Sequence, residues 1–220
     1  METPARRPAP LIDLGDEDLP DLVLRRLVGE ADLPELSRVI EESVEHLRPW
    51  MPWVAGHDEA STAEFLAGRA ERWESGAAFS YAIVLDGAIV GVFDLFRPEQ
   101  SNEAADGDAS TGTSAGEDGS RTGAGTAAGL EIGYWLHPAA TGRGAATRAV
   151  RALVAEAFRL PGVEHVDIVH DPANLASGAV PTRLGFTEHL RRPAEILAPA
   201  ETGEEVVRRL TRRRAESAAR

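Results

Sequence analysis

Apolar and polar positions follow two different periods along the chain, and each period predicts its own kind of element. After Asp32, apolar residues recur at intervals of three and four, which predicts an amphipathic helix. Asp32 and Glu35 have the spacing of a capping box at the start of that helix. Ser61 and Glu64 repeat the start signal and predict a second helix that ends near Gly76.

Short apolar runs predict strands in the rest of the chain. Residues 79–85 and 88–95 flank Asp86-Gly87, and an Asp-Gly pair between apolar runs is a strong hairpin signal. Further strands are predicted at 22–28, 130–136, 163–169, 186–190 and 205–211, with helices at 144–159 and 175–184. The order β-α-α-β-β-β-α-β-α-β-β predicts a mixed α/β domain with strands on both sides of a central crossover.

Residues 98–128 interrupt this pattern with a stretch that cannot contribute to a core. They contain six acids, one Arg and no Val, Ile, Leu, Met or aromatic residue, so they bury too little apolar surface to offset the entropy of ordering. Because the predicted strands on either side need further neighbours to make a sheet, the stretch is predicted to be a disordered insert in a single domain at 20–212. A lid over a substrate site is the alternative to a passive insert. Residues 1–19 and 213–220 are predicted to be flexible tails.

Composition narrows the class of protein. The chain has 220 residues, a formal net charge of −13 and no cysteine, which excludes disulfides, thiolate zinc sites and cysteine nucleophiles. The acidic balance opposes binding to the phosphate backbone of nucleic acid, and no apolar run is long enough for a signal-peptide core or a membrane span. We therefore expect a cytoplasmic protein that binds neither nucleic acid nor a membrane. No cluster of His, Asp and Glu has ligand spacing, so no metal is expected.

The chemically informative segment is residues 131–147, where a predicted strand, a glycine-containing turn and a predicted helix follow one another. Gly142 and Gly144 allow the backbone to approach a ligand closely, and the free N–H groups and dipole of a helix N-terminus favour negative charge. A diphosphate would satisfy those donors. The two standard phosphate loops, G-x-x-x-x-G-K-[ST] and G-x-G-x-x-G, are both absent.

Three segments carry a resemblance to one family. The turn x-x-x-G-R-G-A-A-T resembles the acetyl-CoA pyrophosphate loop of GNAT-fold N-acetyltransferases, [Gln/Arg]-x-x-Gly-x-[Gly/Ala], with Thr141 in the first position. The run from Asn174 through Ser177 to Gly185-Phe186 resembles the N-x-x-S…G-F element beside the pantetheine arm. L-R-P-W-M-P-W at 47–53 and E-I-G-Y-W-L at 131–136 are similar to the RimJ/RimL branch, which acetylates N-termini of ribosomal proteins.

The resemblance implies a fold, a cosubstrate and a set of binding residues. The implied fold is the GNAT fold, a central mixed, mostly antiparallel sheet of about seven strands flanked by about four helices. The implied cosubstrate is acetyl-CoA, bound by Trp135, Leu136, Thr141, Gly142, Arg143, Gly144, Ala145, Ala146, Thr147 and Asn174. The residues implied to contact the acceptor amine are Trp50, Trp53 and Tyr134. For the two tryptophans, packing in the core is the alternative role.

Two residues are candidates for the catalytic roles. An α-amine has a pKa of about 8, so its attack on a thioester needs a base. Glu131 occupies the position at which related histone acetyltransferases carry a catalytic glutamate, and the alternative is an exposed or ion-paired carboxylate of the strand. Ser177 is the candidate donor to the leaving sulfur, or else only a local backbone partner. The Tyr that many family members use as the acid is replaced by Pro181.

The sequence leaves several functions open. The first is direct transfer of acetyl to a protein N-terminal α-amine in a ternary complex, and the second is acetylation of a small-molecule amine or antibiotic. A catalytically silent acyl-CoA-binding regulator and an interaction protein of the same fold are the alternatives without an activity. His137 and His170, at the ends of two predicted strands, are further candidates for a base. A homodimer through an edge strand near Glu205 stays open.

Overall fold

The computed structural model describes residues 6–98 and 128–218, which form one eight-stranded sheet with helices on both faces. The strands are β1 (Leu11–Asp13), β2 (Val23–Arg26), β3 (Ala78–Leu85), β4 (Ala88–Phe96), β5 (Ala128–Leu136), β6 (Val163–His170), β7 (Thr187–Pro193) and β8 (Glu204–Thr211). The helices are α1 (Leu33–Leu47), α2 (Glu59–Ala67), α3 (Arg69–Ser75), α4 (Ala145–Arg159), α5 (Leu175–Arg183) and α6 (Arg212–Ala218). Apart from its two end residues, the predicted insert at 98–128 lies outside the described residues.

The sheet has the order β1-β2-β3-β4-β5-β6-β8-β7, and only β5 and β6 run parallel. The predicted hairpin joins β3 to β4. Asp86 and Gly87 have φ angles of 53° and 80°, the left-handed pair that a two-residue type I′ turn requires. The mixed, mostly antiparallel α/β sheet expected from the resemblance is therefore confirmed, with one strand more than predicted.

Two apolar layers hold the helices on the sheet. On one face, the α4 side chains Ala149, Leu153 and Ala157 pack with those of α3 and of alternate sheet residues. On the other face, α1 and α2 pack on the opposite set of sheet residues, which includes Ala82 and Val84. This alternation follows from the two-residue period of strands and places neighbouring β5 residues on opposite faces.

The N-terminal helices begin after Asp32 and end next to Gly76 as predicted, but their caps differ from the prediction and the second one is broken. Asp32 does not cap α1, because its carboxylate pairs with Arg25 at 2.7 Å and accepts a hydrogen bond from the Val28 N–H at 2.6 Å. The cap of α2 is Asp58, which exchanges hydrogen bonds with Ser61 in a capping box. The single predicted helix is broken at Gly68 into α2 and α3.

Both predicted tails contain a regular element. β1 lies inside the stretch 1–19 and pairs with β2, and α6 occupies most of 213–220. Arg212, at the start of α6, donates hydrogen bonds to the carbonyls of Phe158 and Val163 at 2.6 Å each. Elements of three and seven residues hold too few periodic positions to show in a hydrophobic pattern, so sequence periodicity missed both.

Candidate active site

The site begins where the two parallel strands separate. β5 and β6 pair from Ala128 and Val163 as far as Glu131 and Asp167. Beyond that point β5 continues along β4 as far as Leu136, whereas β6 continues along β8 as far as His170. The strands therefore diverge, and a cleft opens between them just past Glu131.

The cleft brings together five of the residues that the sequence singled out. Trp50, Tyr134, His170, Asn174 and Ser177 line it, together with Met51. The β7–β8 loop, residues 194–203, forms the remaining wall and was missed by the sequence analysis. The Ala200 N–H of this loop donates a hydrogen bond to the Pro49 carbonyl at 3.0 Å, so the loop is tied to the segment after α1. Its glutamates were the only sequence signal, and a solvated loop explains those equally well.

Glu131 does not line the cleft itself but directly precedes Ile132, the first β5 residue of the lining, in an environment that favours its protonated form. Burial is the main cause, and the nearby charges of Asp167 and Glu205 add to it, whereas Arg192 opposes it. Together they raise the pKa of Glu131 from 4.5 to about 7. Within residues 6–98 and 128–218 the Glu131 carboxylate has no hydrogen bond or ion pair, so it is available to an incoming proton donor.

Asp167 is the sheet neighbour of Glu131, but it is not available in the same way. Arg209 donates two hydrogen bonds to the Asp167 carboxylate, at 2.7 and 2.6 Å. A carboxylate held in this bidentate manner is fixed in position. Asp167 therefore acts on Glu131 through its charge. The register that joins these two residues is a contact between distant segments, which no local sequence pattern reveals.

Ser177 and Asn174 sit together at the start of α5. Asn174 Oδ1 accepts a hydrogen bond from the Ser177 N–H at 3.1 Å, so Asn174 is the N-cap of the helix. The Tyr134 hydroxyl donates to the Ser177 carbonyl at 3.1 Å, and the Tyr134 ring stacks on Phe93 with 5.0 Å between centroids. These contacts fix the start of α5 against β5 on the wall of the cleft opposite the β7–β8 loop. Burial raises the pKa of Tyr134, which therefore stays a hydrogen-bond donor.

The two histidines have different surroundings. His137 Nδ1 accepts a hydrogen bond from the Ala139 N–H at 3.2 Å, and its Nε2 lies 3.5 Å from Glu42 Oε2, outside the cleft lining. His170 lines the cleft, and its Nδ1 lies 2.8 Å from the Asp171 carbonyl. Its Nε2 is buried without a hydrogen-bond partner in the described part of the chain. Of these two histidines, His170 alone lines the cleft.

The glycine turn after β5 has the shape of an anion cradle. Gly142 and Gly144 have φ angles of 72° and 81°, a region that residues with a Cβ rarely adopt. α4 begins directly after them with no side-chain cap and no acidic residue in its first turn. The N–H groups of Ala145, Ala146 and Thr147 have no partner within the helix and are free for an anion. Thr141 does not extend the cradle, because its hydroxyl donates to the Pro138 carbonyl at 2.8 Å.

The other predicted binding residues are divided between the two faces of the sheet. Leu136 is buried in the core layer beneath α4, so its side chain is a packing residue. Trp135 faces the α1 side, where its ring centroid lies 6.2 Å from that of Trp53. Trp53 is 43% exposed and does not line the cleft. Arg143, between the two glycines, is exposed.

The described residues contain neither of two further kinds of site. None of their helices is long and apolar enough to cross a membrane. In the same residues, no group of three or more His, Asp or Glu side chains is arranged to hold a metal ion.

Comparison with known proteins gives a consistent result. The acetyltransferase (GNAT) domain model matches residues 21–187. The protein named "Putative ribosomal N-acetyltransferase YdaF" from Bacillus subtilis (strain 168) is 24% identical over 165 residues, 74% of this chain and 76% of that protein. RimL, a ribosomal α-N-protein acetyltransferase solved in complex with coenzyme A, has a TM-score of 0.68 at 19% identity and covers 89% of this chain and 96% of its own.

A second solved structure, the microcin self-immunity acetyltransferase MccE in complex with acetyl-CoA and AMP, has a TM-score of 0.69 at 18% identity and covers 92% of this chain and 98% of its own. At these identities the two structures show the shared fold, and the family model shows the class. The chain is an acetyltransferase and belongs to the acetyltransferase (GNAT) domain family.

Proposed function

We propose that this acetyltransferase uses acetyl-CoA and that its acceptor is the α-amine of a protein N-terminus. The observation that carries the proposal is the position of Glu131, a half-buried carboxylate with a pKa of about 7, at the point where β5 and β6 separate. Such a carboxylate is a far stronger base than one with the ordinary value, and it stands beside a cleft that an amine can enter.

Glu131 is proposed as the general base. The amine nitrogen attacks the thioester carbonyl, and Glu131 takes a proton from that nitrogen. The new C–N bond then replaces the C–S bond, and the electron pair leaves on sulfur as a thiolate. Because an α-ammonium group has a pKa of about 8, a base with a pKa of about 7 is well matched to it near neutral pH.

Ser177 is proposed as the group that stabilises the leaving thiolate. It lines the cleft, and the Asn174 and Tyr134 contacts to its backbone fix its position at the start of α5. Its hydroxyl donates a hydrogen bond to the sulfur, and the thiolate then takes up a proton from solvent. Tyr134 acts here through Ser177, as a residue that positions the helix start.

The turn at 141–147 fits the diphosphate of acetyl-CoA. Its two glycines leave the backbone open, and the first turn of α4 presents free N–H groups at the positive end of the helix dipole. The same turn leads out of β5, so a cofactor held there by its diphosphate has a direct path to the cleft. RimL and MccE were solved with coenzyme A and acetyl-CoA respectively, which supports this cosubstrate.

The charge of the cleft supports a cationic acceptor. Glu195, Glu204 and Glu205 line it. A cleft lined by one sign of charge concentrates ligands of the opposite sign, here an ammonium group. The names of YdaF and RimL, both described as ribosomal acetyltransferases, support a protein acceptor over a small molecule.

The test is calorimetric titration with acetyl-CoA, followed by a thiol-release assay over peptides with free or blocked N-termini, lysine side chains and small amines. We expect micromolar acetyl-CoA binding and thiol release that requires a free N-terminal α-amine. Glu131→Gln should lower kcat by about 100-fold or more, because a general base contributes that much, and leave acetyl-CoA affinity unchanged.

The matched control is Glu164→Gln, which removes an exposed carboxylate of β6 and should leave the rate unchanged. Thiol release from small amines alone would replace the proposed acceptor. Binding without turnover on any amine would show a regulator, and full activity of Glu131→Gln would remove Glu131 as the base.

A further inference from the structure

An ion pair joins the N-terminal hairpin to the glycine turn. Arg148, the fourth residue of α4, donates from Nε to Asp16 Oδ2 at 2.7 Å, and its Nη2 donates to the same oxygen. Asp16 lies in the connection between β1 and β2, 132 residues away along the chain. The contact therefore couples two segments that share no strand pairing.

The Arg148 guanidinium also contacts the turn itself. Its Nη1 donates to the Arg143 carbonyl at 3.3 Å. The same nitrogen would lie 2.5 Å from a Cβ at Gly144, so the guanidinium fills the space that a side chain there would need. Arg148 thus bridges the backbone of the turn to a fixed carboxylate, and it covers the residue whose φ of 81° defines the turn.

Asp16 is well ordered by its own backbone contacts. Its Oδ1 accepts hydrogen bonds from the N–H groups of Asp18 and Leu19 at 3.1 Å each, which leaves Oδ2 for Arg148. Leu19 is buried in the core, so the connection that carries Asp16 is anchored. The bond to Arg148 also holds the pKa of Asp16 below its usual range.

The positive charge of Arg148 is unfavourable for α4 considered by itself. A cation in the first turns of a helix opposes the dipole, and α4 has no acidic residue there to offset it. Asp16 supplies the compensating charge from outside the helix. Because the pair is neutral as a whole, its effect on an incoming diphosphate is mainly geometric, through the shape of the turn.

We propose that the Asp16–Arg148 pair is a clasp that holds the Gly142–Gly144 turn in the conformation that binds the cosubstrate's diphosphate. The inference rests on the proposed use of acetyl-CoA and assigns two positioning residues to that site. Loss of either partner frees the turn. Part of the free energy of acetyl-CoA binding must then be spent on ordering the turn, so the affinity falls.

The test compares acetyl-CoA with acetyl-pantetheine, which lacks the diphosphate. We expect Asp16→Asn and Arg148→Gln each to weaken acetyl-CoA binding by about three- to tenfold, with no further loss in the double variant. Saturating kcat with acetyl-CoA, and kcat/KM with acetyl-pantetheine, should stay at the wild-type values. Arg148→Lys keeps the charge but not the planar fork, and it should lose affinity as Arg148→Gln does.

The matched control is Asp18→Asn. Asp18 carries the same charge in the same connection but lies 3.6 Å from Arg148 Nη2 and is 86% exposed, so its loss changes the local field without opening the clasp. Titration at high ionic strength screens the effect of the lost Asp18 charge on acetyl-CoA affinity. If Asp16→Asn and Arg148→Gln bind acetyl-CoA with wild-type affinity, the clasp is overturned and the proposed cosubstrate is not. Tighter acetyl-CoA binding in Asp16→Asn would have the same meaning. Failure of the wild type to bind acetyl-CoA would overturn both the clasp and the proposed cosubstrate.

Discussion

Glu131 is exceptional because three separate features of the fold act on one carboxyl group. It ends the parallel β5–β6 pairing, it is half-buried, and its sheet neighbour Asp167 is held in place by Arg209. A carboxylate that is desolvated beside another negative charge holds its proton more strongly than one in water. The raised pKa thus results from the position of the residue and from a fixed neighbour.

The pH dependence of the rate follows from this pKa. Glu131 must be ionised to act as a base, so kcat/KM should rise with pH through an apparent pKa of about 7, in addition to the step of the acceptor amine. The rising limb should be lost in Glu131→Gln. Asp167→Asn removes the neighbouring negative charge and should move that limb to lower pH.

The control for this pH profile is again Glu164→Gln. In that variant kcat/KM should rise with pH as it does in the wild type. Rates measured over a pH series with one N-terminal peptide at low concentration give the comparison. A wild-type profile that shows only the step of the amine would contradict the assignment of Glu131.

At the scale of single elements, a substitution in the turn before α4 can separate the effect of backbone strain on stability from the effect of the turn on acetyl-CoA binding. Gly144→Ala introduces a Cβ at a φ of 81° and 2.5 Å from Arg148 Nη1. We expect it to lower the free energy of unfolding by about 1–2 kcal/mol and to weaken acetyl-CoA binding markedly. Urea denaturation and calorimetric titration measure the two effects.

Gly162 offers a matched control for that substitution. It has a φ of 75°, and a Cβ there would meet nothing within 4 Å. Gly162→Ala should therefore destabilise the fold through the same backbone strain while acetyl-CoA affinity stays at the wild-type value. Equal losses of affinity in the two variants would show that the turn has no specific role.

Elements with a strong local signal are predictable from the sequence, and those that depend on distant partners are not. The β3–β4 hairpin follows from Asp86-Gly87, and α1 and α4 follow from long apolar stripes. The break at Gly68 was missed because one glycine is tolerated inside many helices. The expected Asp32 cap is absent because Arg25, on another element, takes the carboxylate.

At the scale of the whole molecule, the sequence predicted candidate residues for the site but not the relations among them. The motifs placed Glu131, Asn174, Ser177 and the glycine turn on their elements. The divergence of β5 from β6, the Asp167 neighbour and the wall formed by the β7–β8 loop arise from pairings between distant segments. Those pairings depend on how the sheet is assembled, which a periodic pattern along one chain does not specify.

The raised pKa of Glu131 also affects the stability of the whole fold. The folded state holds this proton up to about pH 7, whereas the unfolded chain releases it near 4.5. Between these values the folded state binds more protons, so its stability should fall as pH rises and then level off above pH 7. Ionised Glu131 should thus lower the free energy of unfolding by about 3 kcal/mol at pH 8.

Glu131→Gln removes that charge and should therefore be more stable than the wild type at pH 8, with the difference shrinking towards pH 5. Urea denaturation at a series of pH values measures it, and Glu164→Gln should show a difference that does not change with pH. The same substitution would then remove the activity and stabilise the protein. This opposition is expected of a half-buried carboxylate that serves as a base and is not expected of one that serves the fold. A Glu131→Gln variant that is no more stable at pH 8 than at pH 5, relative to the wild type, would contradict it.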